Sequence, residues 1–229
     1  MEITPIAHIR TEFPEKFGIP RQSGLAGHLQ ARIVFDPRYR NPDAVRGLDE
    51  FSHIWLIWEF SANRRGGVPT SEGDWQPTVR PPRLGGNEHM GVFATRSPFR
   101  PNPLGLSCVE LDRIDIDDPE GPVLYVKGAD LMDGTPIYDI KPYLPFTDCH
   151  PNATGGFAQE QNEAIAPLQV IIPEELKSQL GEERTKALEG VLAADPRPHY
   201  QNDPSRTYAM EFAGKEIKFR VNGNTVLVQ

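Results

Sequence analysis

Polar and apolar positions alternate along much of the first 140 residues, and that alternation predicts strands rather than helices. In residues 28–35 (HLQARIVF), Leu29, Ala31, Ile33 and Phe35 share one face, the two-residue period of a half-buried strand. Residues 3–10 read as a shorter strand. Residues 51–60 (FSHIWLIWEF) are apolar on both faces through the middle, which predicts a central strand buried on both sides. Residues 91–95, 104–116, 122–131 and 137–140 complete the set, with an acidic DDPEG turn and an Asp133-Gly134 turn among the connections. Residues 13–24 read as a loop punctuated by Pro and Gly, and residues 43–49 as one helical turn ended by Gly47. Residues 61–88 carry no period, the mark of a functional or disordered connection.

Beyond residue 150 the pattern changes. The stretch around residues 151–167 is polar, small and Gly-containing, and reads as a linker. Leu176, Leu180, Leu188, Val191 and Leu192 then recur at helical spacing, with a break near Gly181. Residues 207–213 and 215–228 alternate again, the latter folded at an Asn222-Gly223 hairpin turn. The expected architecture is mainly β over residues 1–150, with a small α+β unit over 168–229.

Composition narrows this picture. A chain of 229 residues with 38% apolar content can build one sizeable core and an appendix. Its 23 Pro and 20 Gly are spread without a period, which suits many short elements and tight turns. The net charge of −8 argues against a polyanionic partner. Locally the balance reverses: Arg64, Arg65, Arg80, Arg83, Arg96 and Arg100 face only Glu72, Asp74 and Glu88 over the same span. A clustered patch of this kind steers a polyanion better than the net charge suggests. Cys108 and Cys149 belong to no metal-spaced cluster, so no metal is expected, and they fit reduced thiols in a cytoplasmic protein. The N-terminus lacks the plan of a signal peptide, and no apolar run is long enough to span a bilayer.

Two stretches carry candidate chemistry. In residues 95–107 (TRSPFRPNPLGLS), three prolines within six residues stiffen the loop that holds Arg96 and Arg100. Fixed guanidiniums of this kind suit bidentate capture of a carboxylate or phosphate. In residues 129–143 (ADLMDGTPIYDIKPY), the Asp-Gly-Thr-Pro turn offers a carboxylate and backbone N–H groups to a ribose or an amine. Pro20-Arg21-Gln22 stands in an early loop and says little alone. No Rossmann fingerprint, phosphate-binding loop or nucleophile elbow is present.

The stretches PRQSG (20–24), AVRGLDEFSHIWLIWEF (44–60), PTVRPPRLGGN (77–87), GVFATRSPFRPNPLGLSCVEL (91–111) and DLMDGTPIYDIKPYLPFTD (130–148) resemble the TsaA/TrmO family of S-adenosylmethionine-dependent tRNA methyltransferases. DPRPHY (195–200) and the terminal strands resemble the small C-terminal domain of its bacterial members. The resemblance implies a single-sheet β-barrel catalytic domain and a homodimer with S-adenosylmethionine near the subunit interface. It implies N6-methylation of N6-threonylcarbamoyladenosine beside the anticodon of a threonine tRNA. The implied cofactor contacts are Pro20, Arg21, Gln22, Ser61, Ala62, Arg96, Leu106, Asp133, Gly134, Thr135 and Pro136. Ser61 and Ala62 depart from the family pattern, so any contact there falls to the backbone. Arg64, Arg65, Arg80, Arg83 and Arg100 are the candidates for the tRNA backbone, and Tyr143 and Asp139 for the catalytic base. Three other readings are open: a non-catalytic RNA-binding barrel, a small-molecule methyltransferase, and metal-dependent hydrolysis using Asp130, Asp133 and Asp139.

Overall fold

The computed structural model describes residues 2–63, 75–81, 84, 88–159, 166–197 and 203–229. Six antiparallel strands close a single sheet into a barrel: β1 (Ala7–Arg10), β2 (Gln30–Phe35), β3 (His53–Glu59), β6 (Leu104–Asp115), β7 (Val123–Lys127) and β8 (Pro136–Pro142), in the order β1-β2-β7-β6-β3-β8. The interior is filled by residues at the two-residue spacing: Ala31, Ile33 and Phe35 from β2, Ile54, Leu56 and Trp58 from β3, Val109 and Leu111 from β6. The fold is therefore mainly β, as the alternation predicts.

Several expectations are corrected. The strand over 51–60 is buried on one face only; Trp55 and Ile57 lie on the barrel's outer face and are half-buried. A barrel gives each strand one inside, so an apolar outer face marks a surface rather than a second core. Residues 43–49 form two 3-10 turns, Pro42–Val45 and Leu48–Glu50, with Gly47 between them. Residues 91–95 are a 3-10 turn (Val92–Ala94) after the short β5 (Met90–Gly91), which pairs with β4 (Thr78–Val79).

The C-terminal unit is a four-stranded sheet, β10-β11-β12-β9, covered by two helices. Strands β10 (Tyr208–Phe212), β11 (Lys215–Asn222) and β12 (Thr225–Val228) form the expected meander. β9 (Gln169–Ile171), unanticipated because it is only three residues long, adds in parallel to β12. Helices α2 (Glu174–Leu180) and α3 (Glu182–Ala193) meet at Gly181, where the sequence predicts a break; the short α1 (Pro145–Asp148) follows β8. This second core crosses the division drawn at residue 150. Phe13, Ala26 and Leu29 are buried among Leu188, Leu192, Met210, Phe212 and Phe219. The loop over residues 13–29 thus belongs to both units, and it carries Pro20, Arg21 and Gln22.

Candidate functional site

A cavity of about 650 Å³ opens at the end of the barrel where β3 leaves and β6 enters. Its walls are Trp58, Phe60, Pro98, Phe99, Leu104 and Leu106, and its polar groups include Lys16, Arg21, Glu59, Arg96, Arg100 and Asp130. Local sequence explains the shape. Gly105 lets Trp58 lie directly against the β6 backbone, since a Cβ there would fall 2.3 Å from the indole. In β8, Tyr138 is an extra residue opposite the Ile57/Trp58 step of β3. Such a bulge re-aims a side chain, and the Tyr138 hydroxyl donates to Glu59 Oε2 at 2.6 Å.

Asp130 stands at the floor of this cavity. A chain of hydrogen bonds fixes it: Trp58 Nε1–H donates to Ser107 Oγ at 2.9 Å, and the Ser107 hydroxyl donates to Asp130 Oδ1 at 2.5 Å. Burial pushes the Asp130 carboxyl above its ordinary value, while the Ser107 hydroxyl, backbone N–H groups and the charge of Arg96 pull part of the way back. Arg96 in turn donates through Nη1 to Gln22 Oε1, tying the early loop to the proline-rich one. The proline-rich loop is stiffened further by Arg100, whose Nη1 donates to the Thr95 and Ser97 carbonyls at 3.1 and 3.3 Å. A fixed cation, a buried carboxylate and apolar walls in one cavity can hold a small zwitterion that carries a flat ring.

The structure gathers the dispersed candidates selectively. Pro20, Arg21, Gln22, Ser61, Ala62, Arg96, Leu106 and Thr135 all line the cavity, as does Arg100. Asp133, Gly134 and Pro136 do not. Asp133 Oδ1 accepts from the Thr11 N–H at 3.0 Å, and Gly134, at φ +73°, completes a tight turn whose N–H donates to the Ile9 carbonyl. The turn therefore fixes Thr135, nearly buried at the cavity wall, against β1. Tyr143 and Asp139 lie outside the cavity too. Tyr143 packs on Trp55 and His53, and Asp139 pairs with Lys141 at 3.0 Å. Asp130, Asp133 and Asp139 thus do not converge, and among the described residues no group of three or more His, Cys, Asp or Glu is placed to hold a metal ion. Arg80 donates to His89 Nε2 at 2.9 Å and is not among the lining residues, while Arg64, Arg65 and Arg83 fall outside the described residues. Asp130 entered the sequence reading only as a candidate for metal-dependent hydrolysis, while Glu59 and the Trp58–Ser107 pair escaped it. Each reads there as an ordinary strand or turn residue; only the inward phase of Trp58 and Ser107 on the period-2 pattern was available to find them.

The chain matches the family model described as the tRNA-methyltransferase O N-terminal domain over residues 8–149, and that of the TrmO C-terminal domain over residues 165–229. It is 43% identical to the tRNA (adenine(37)-N6)-methyltransferase of Escherichia coli (strain K12) over 224 residues, 94% of this chain and 91% of that one. It is 47% identical to the protein of the same name from Eikenella corrodens, over 78% of this chain and 96% of that one. A putative S-adenosylmethionine-dependent methyltransferase, RcsF, of Pseudomonas aeruginosa is 38% identical over 91% of this chain and 87% of its own. A crystal structure of TrmO from Pseudomonas aeruginosa superposes with a TM-score of 0.77 at 30% identity, covering 100% of this chain and 95% of the other.

Proposed function

The chain belongs to the tRNA-methyltransferase O family, and on that premise we propose that it transfers a methyl group from S-adenosylmethionine to N6 of adenosine 37 in a transfer RNA. The substrate in this reading is the N6-threonylcarbamoyl form of that adenosine in a threonine tRNA. The observation that carries the reading is the joint presence, in one cavity of about 650 Å³, of Arg96, Asp130 and apolar walls. The volume falls in the ordinary range for small-molecule sites. Arg96, steadied by Gln22, suits the cofactor's carboxylate, and Phe99, Leu104 and Leu106 suit its adenine. Bound there, the cofactor supplies an electrophilic methyl group.

The chain's own contribution is alignment and proton removal. The accepting nitrogen loses its proton as it gains the methyl group, and in this reading Asp130 of the cavity lining takes that proton. Its burial raises its basicity, which suits a general base. The carbamoylated N6–H is more acidic than a plain exocyclic amine, so a carboxylate suffices. Residues 1–150 carry this chemistry in the proposal and residues 168–229 form the second unit, with 151–167 between them. A homodimer belongs to the same reading, since Phe99 and Leu106 of the cavity lining are large apolar side chains left exposed. So does a reducing cytoplasm, since both cysteines are free.

The test is calorimetric titration with S-adenosylmethionine of the wild-type chain and Arg96→Ala, followed by methylation of tRNA with and without the threonylcarbamoyl group. Expected are micromolar binding, its loss in the variant, and methyl incorporation only into the modified tRNA. A wild-type chain that binds no cofactor would sink the proposal and leave a plain RNA-binding barrel.

A further inference from the structure

The Asp195-Pro196-Arg197 turn stands outside the barrel that carries the chemistry. It follows α3 directly. Asp195 has φ +51°, a left-handed conformation that a non-glycine residue seldom adopts. Its carboxylate receives Arg197 as a two-pronged pair, Nε to Oδ1 at 2.8 Å and Nη2 to Oδ2 at 2.9 Å, with the Arg197 N–H also donating to Oδ1 at 3.2 Å. The Arg197 residue is only 9% exposed. A strained turn around a nearly buried ion pair is costly to maintain and fixes a geometry. What it fixes is the Arg197 carbonyl, which accepts from Arg21 Nη2 at 2.9 Å. Arg21 lines the cavity.

The rest of the loop around Arg21 is held by the same unit. Phe13, Ala26 and Leu29 are buried in the C-terminal core, and Phe17 and Ile19 pack against it. A Cβ at Gly18 would fall 2.3 Å from Met210 Cε, so the backbone lies hard against β10. The Glu211 N–H donates to the Glu15 carboxylate, and the Ala213 N–H to the Glu12 carbonyl. From this held stretch Lys16, Ile19, Pro20, Arg21 and Gln22 face the cavity.

We propose that the C-terminal unit completes the cofactor site: the Asp195–Arg197 turn is a positioning element that sets Arg21 at the cavity wall, so cofactor binding and the C-terminal fold are coupled. The proposal rests on the S-adenosylmethionine reading above. A merely structural turn would affect melting but not the dependence of cofactor affinity on Arg21.

The experiment titrates S-adenosylmethionine into the full-length wild type, Arg21→Ala, Asp195→Ala and the double variant. Each single change is expected to weaken binding about tenfold, the worth of one charge-assisted hydrogen bond. The double variant is expected to bind no worse than Arg21→Ala, because both remove the same contact. Asp195→Asn, which keeps an acceptor, should recover part of the affinity. Independent losses that multiply, or unchanged affinity in a folded Asp195→Ala chain, overturn the proposal. Should Asp195→Ala fail to fold, amide exchange of the wild type decides. Cofactor is expected to slow exchange at Arg197 and along β10, and protection confined to the barrel overturns the idea. A wild-type chain that binds no cofactor fails the earlier reading instead, which separates the two.

Discussion

Gly105→Ala is a small change with a large expected effect. The new Cβ would sit 2.3 Å from Trp58 Cε2, 2.4 Å from Cζ2 and 2.7 Å from Cδ2. Carbon atoms rest at about 3.5–4.0 Å, so the indole must retreat by roughly 1 Å. It has little room: its Nε1–H is held by Ser107 and its ring meets Phe60 edge-on, with centroids 4.4 Å apart. Overpacking a filled core costs about 1–3 kcal/mol, and the lost Trp58–Ser107 hydrogen bond about 1 kcal/mol. Together that is about 2–4 kcal/mol. At this chain length each kcal/mol lowers Tm by about 2–4 °C, so a fall of about 5–15 °C is expected by scanning calorimetry. Ser107 would lose the partner that orients its hydroxyl toward Asp130, so methylation should fall further than folding alone explains. Trp58→Phe in the same background shrinks the clashing ring, and the double variant should be more stable than the two single effects added together. An unchanged Tm for Gly105→Ala, or strictly additive effects in the cycle, would refute the reasoning.

Asp130→Asn should stabilise the fold at neutral pH while abolishing methylation. A carboxyl whose folded pKa is raised binds its proton more tightly when folded, so stability falls as pH rises from the unfolded pKa through the folded one, and the penalty persists above both. Urea midpoints of wild type and variant should therefore diverge above that window and converge below it, and equal midpoints at neutral pH would contradict the assignment. Phe13→Ala removes a ring only 1% exposed from the C-terminal core, 5.5 Å from Phe212. It should cost about 3–5 kcal/mol in a denaturation series and weaken S-adenosylmethionine binding at temperatures where the chain is still folded. A stability loss with untouched affinity would count against the shared loop. Arg100→Ala should weaken cofactor binding more than it changes the salt dependence of tRNA binding, because its guanidinium is engaged with the Thr95 and Ser97 carbonyls. A salt slope reduced by about one phosphate contact, with cofactor affinity intact, would return Arg100 to the RNA-facing group.

The barrel strands were legible because each has one inside, and Ala31, Ile33 and Phe35 announce it at a two-residue period. The same rule misled at residues 51–60, where Trp55 and Ile57 are apolar yet lie outside; periodicity reports chemistry, not which face meets a core. The hairpin Asn222/Thr225 and the break at Gly181 were legible because turn residues act locally. The site was legible in its loops and not in its floor. Arg96 and Arg100 stand out among prolines, whereas Asp130 acquires its character only when the barrel closes and Ser107, remote in sequence, reaches it. The reach of the C-terminal core back to Phe13 was illegible for the same reason. A single apolar residue in a Pro- and Gly-punctuated loop has no period to show which core will take it.

Charge arrangement reconciles an acidic chain with a polyanionic substrate. The net charge of −8 is an average, and the cavity departs from it: Lys16, Arg21, Arg96 and Arg100 line it against Glu59 and Asp130. Both carboxylates accept hydrogen bonds within the walls, Glu59 from Tyr138 and Asp130 from Ser107, so each is directed inward rather than toward an approaching phosphate. Several acids elsewhere are paired with nearby cations. Asp118 and Glu120 engage Arg32 on the turn between β6 and β7, Glu182 pairs with Lys186 on α3, and Asp195 holds Arg197. A tRNA loop approaching the mouth therefore meets the lining cations Lys16, Arg21, Arg96 and Arg100, and a clustered patch steers a polyanion better than the net charge suggests. Steering here depends on where the arginines are fixed rather than on their number. The loops that fix Arg21 and Arg96 are the ones bound to the C-terminal turn and to Gln22.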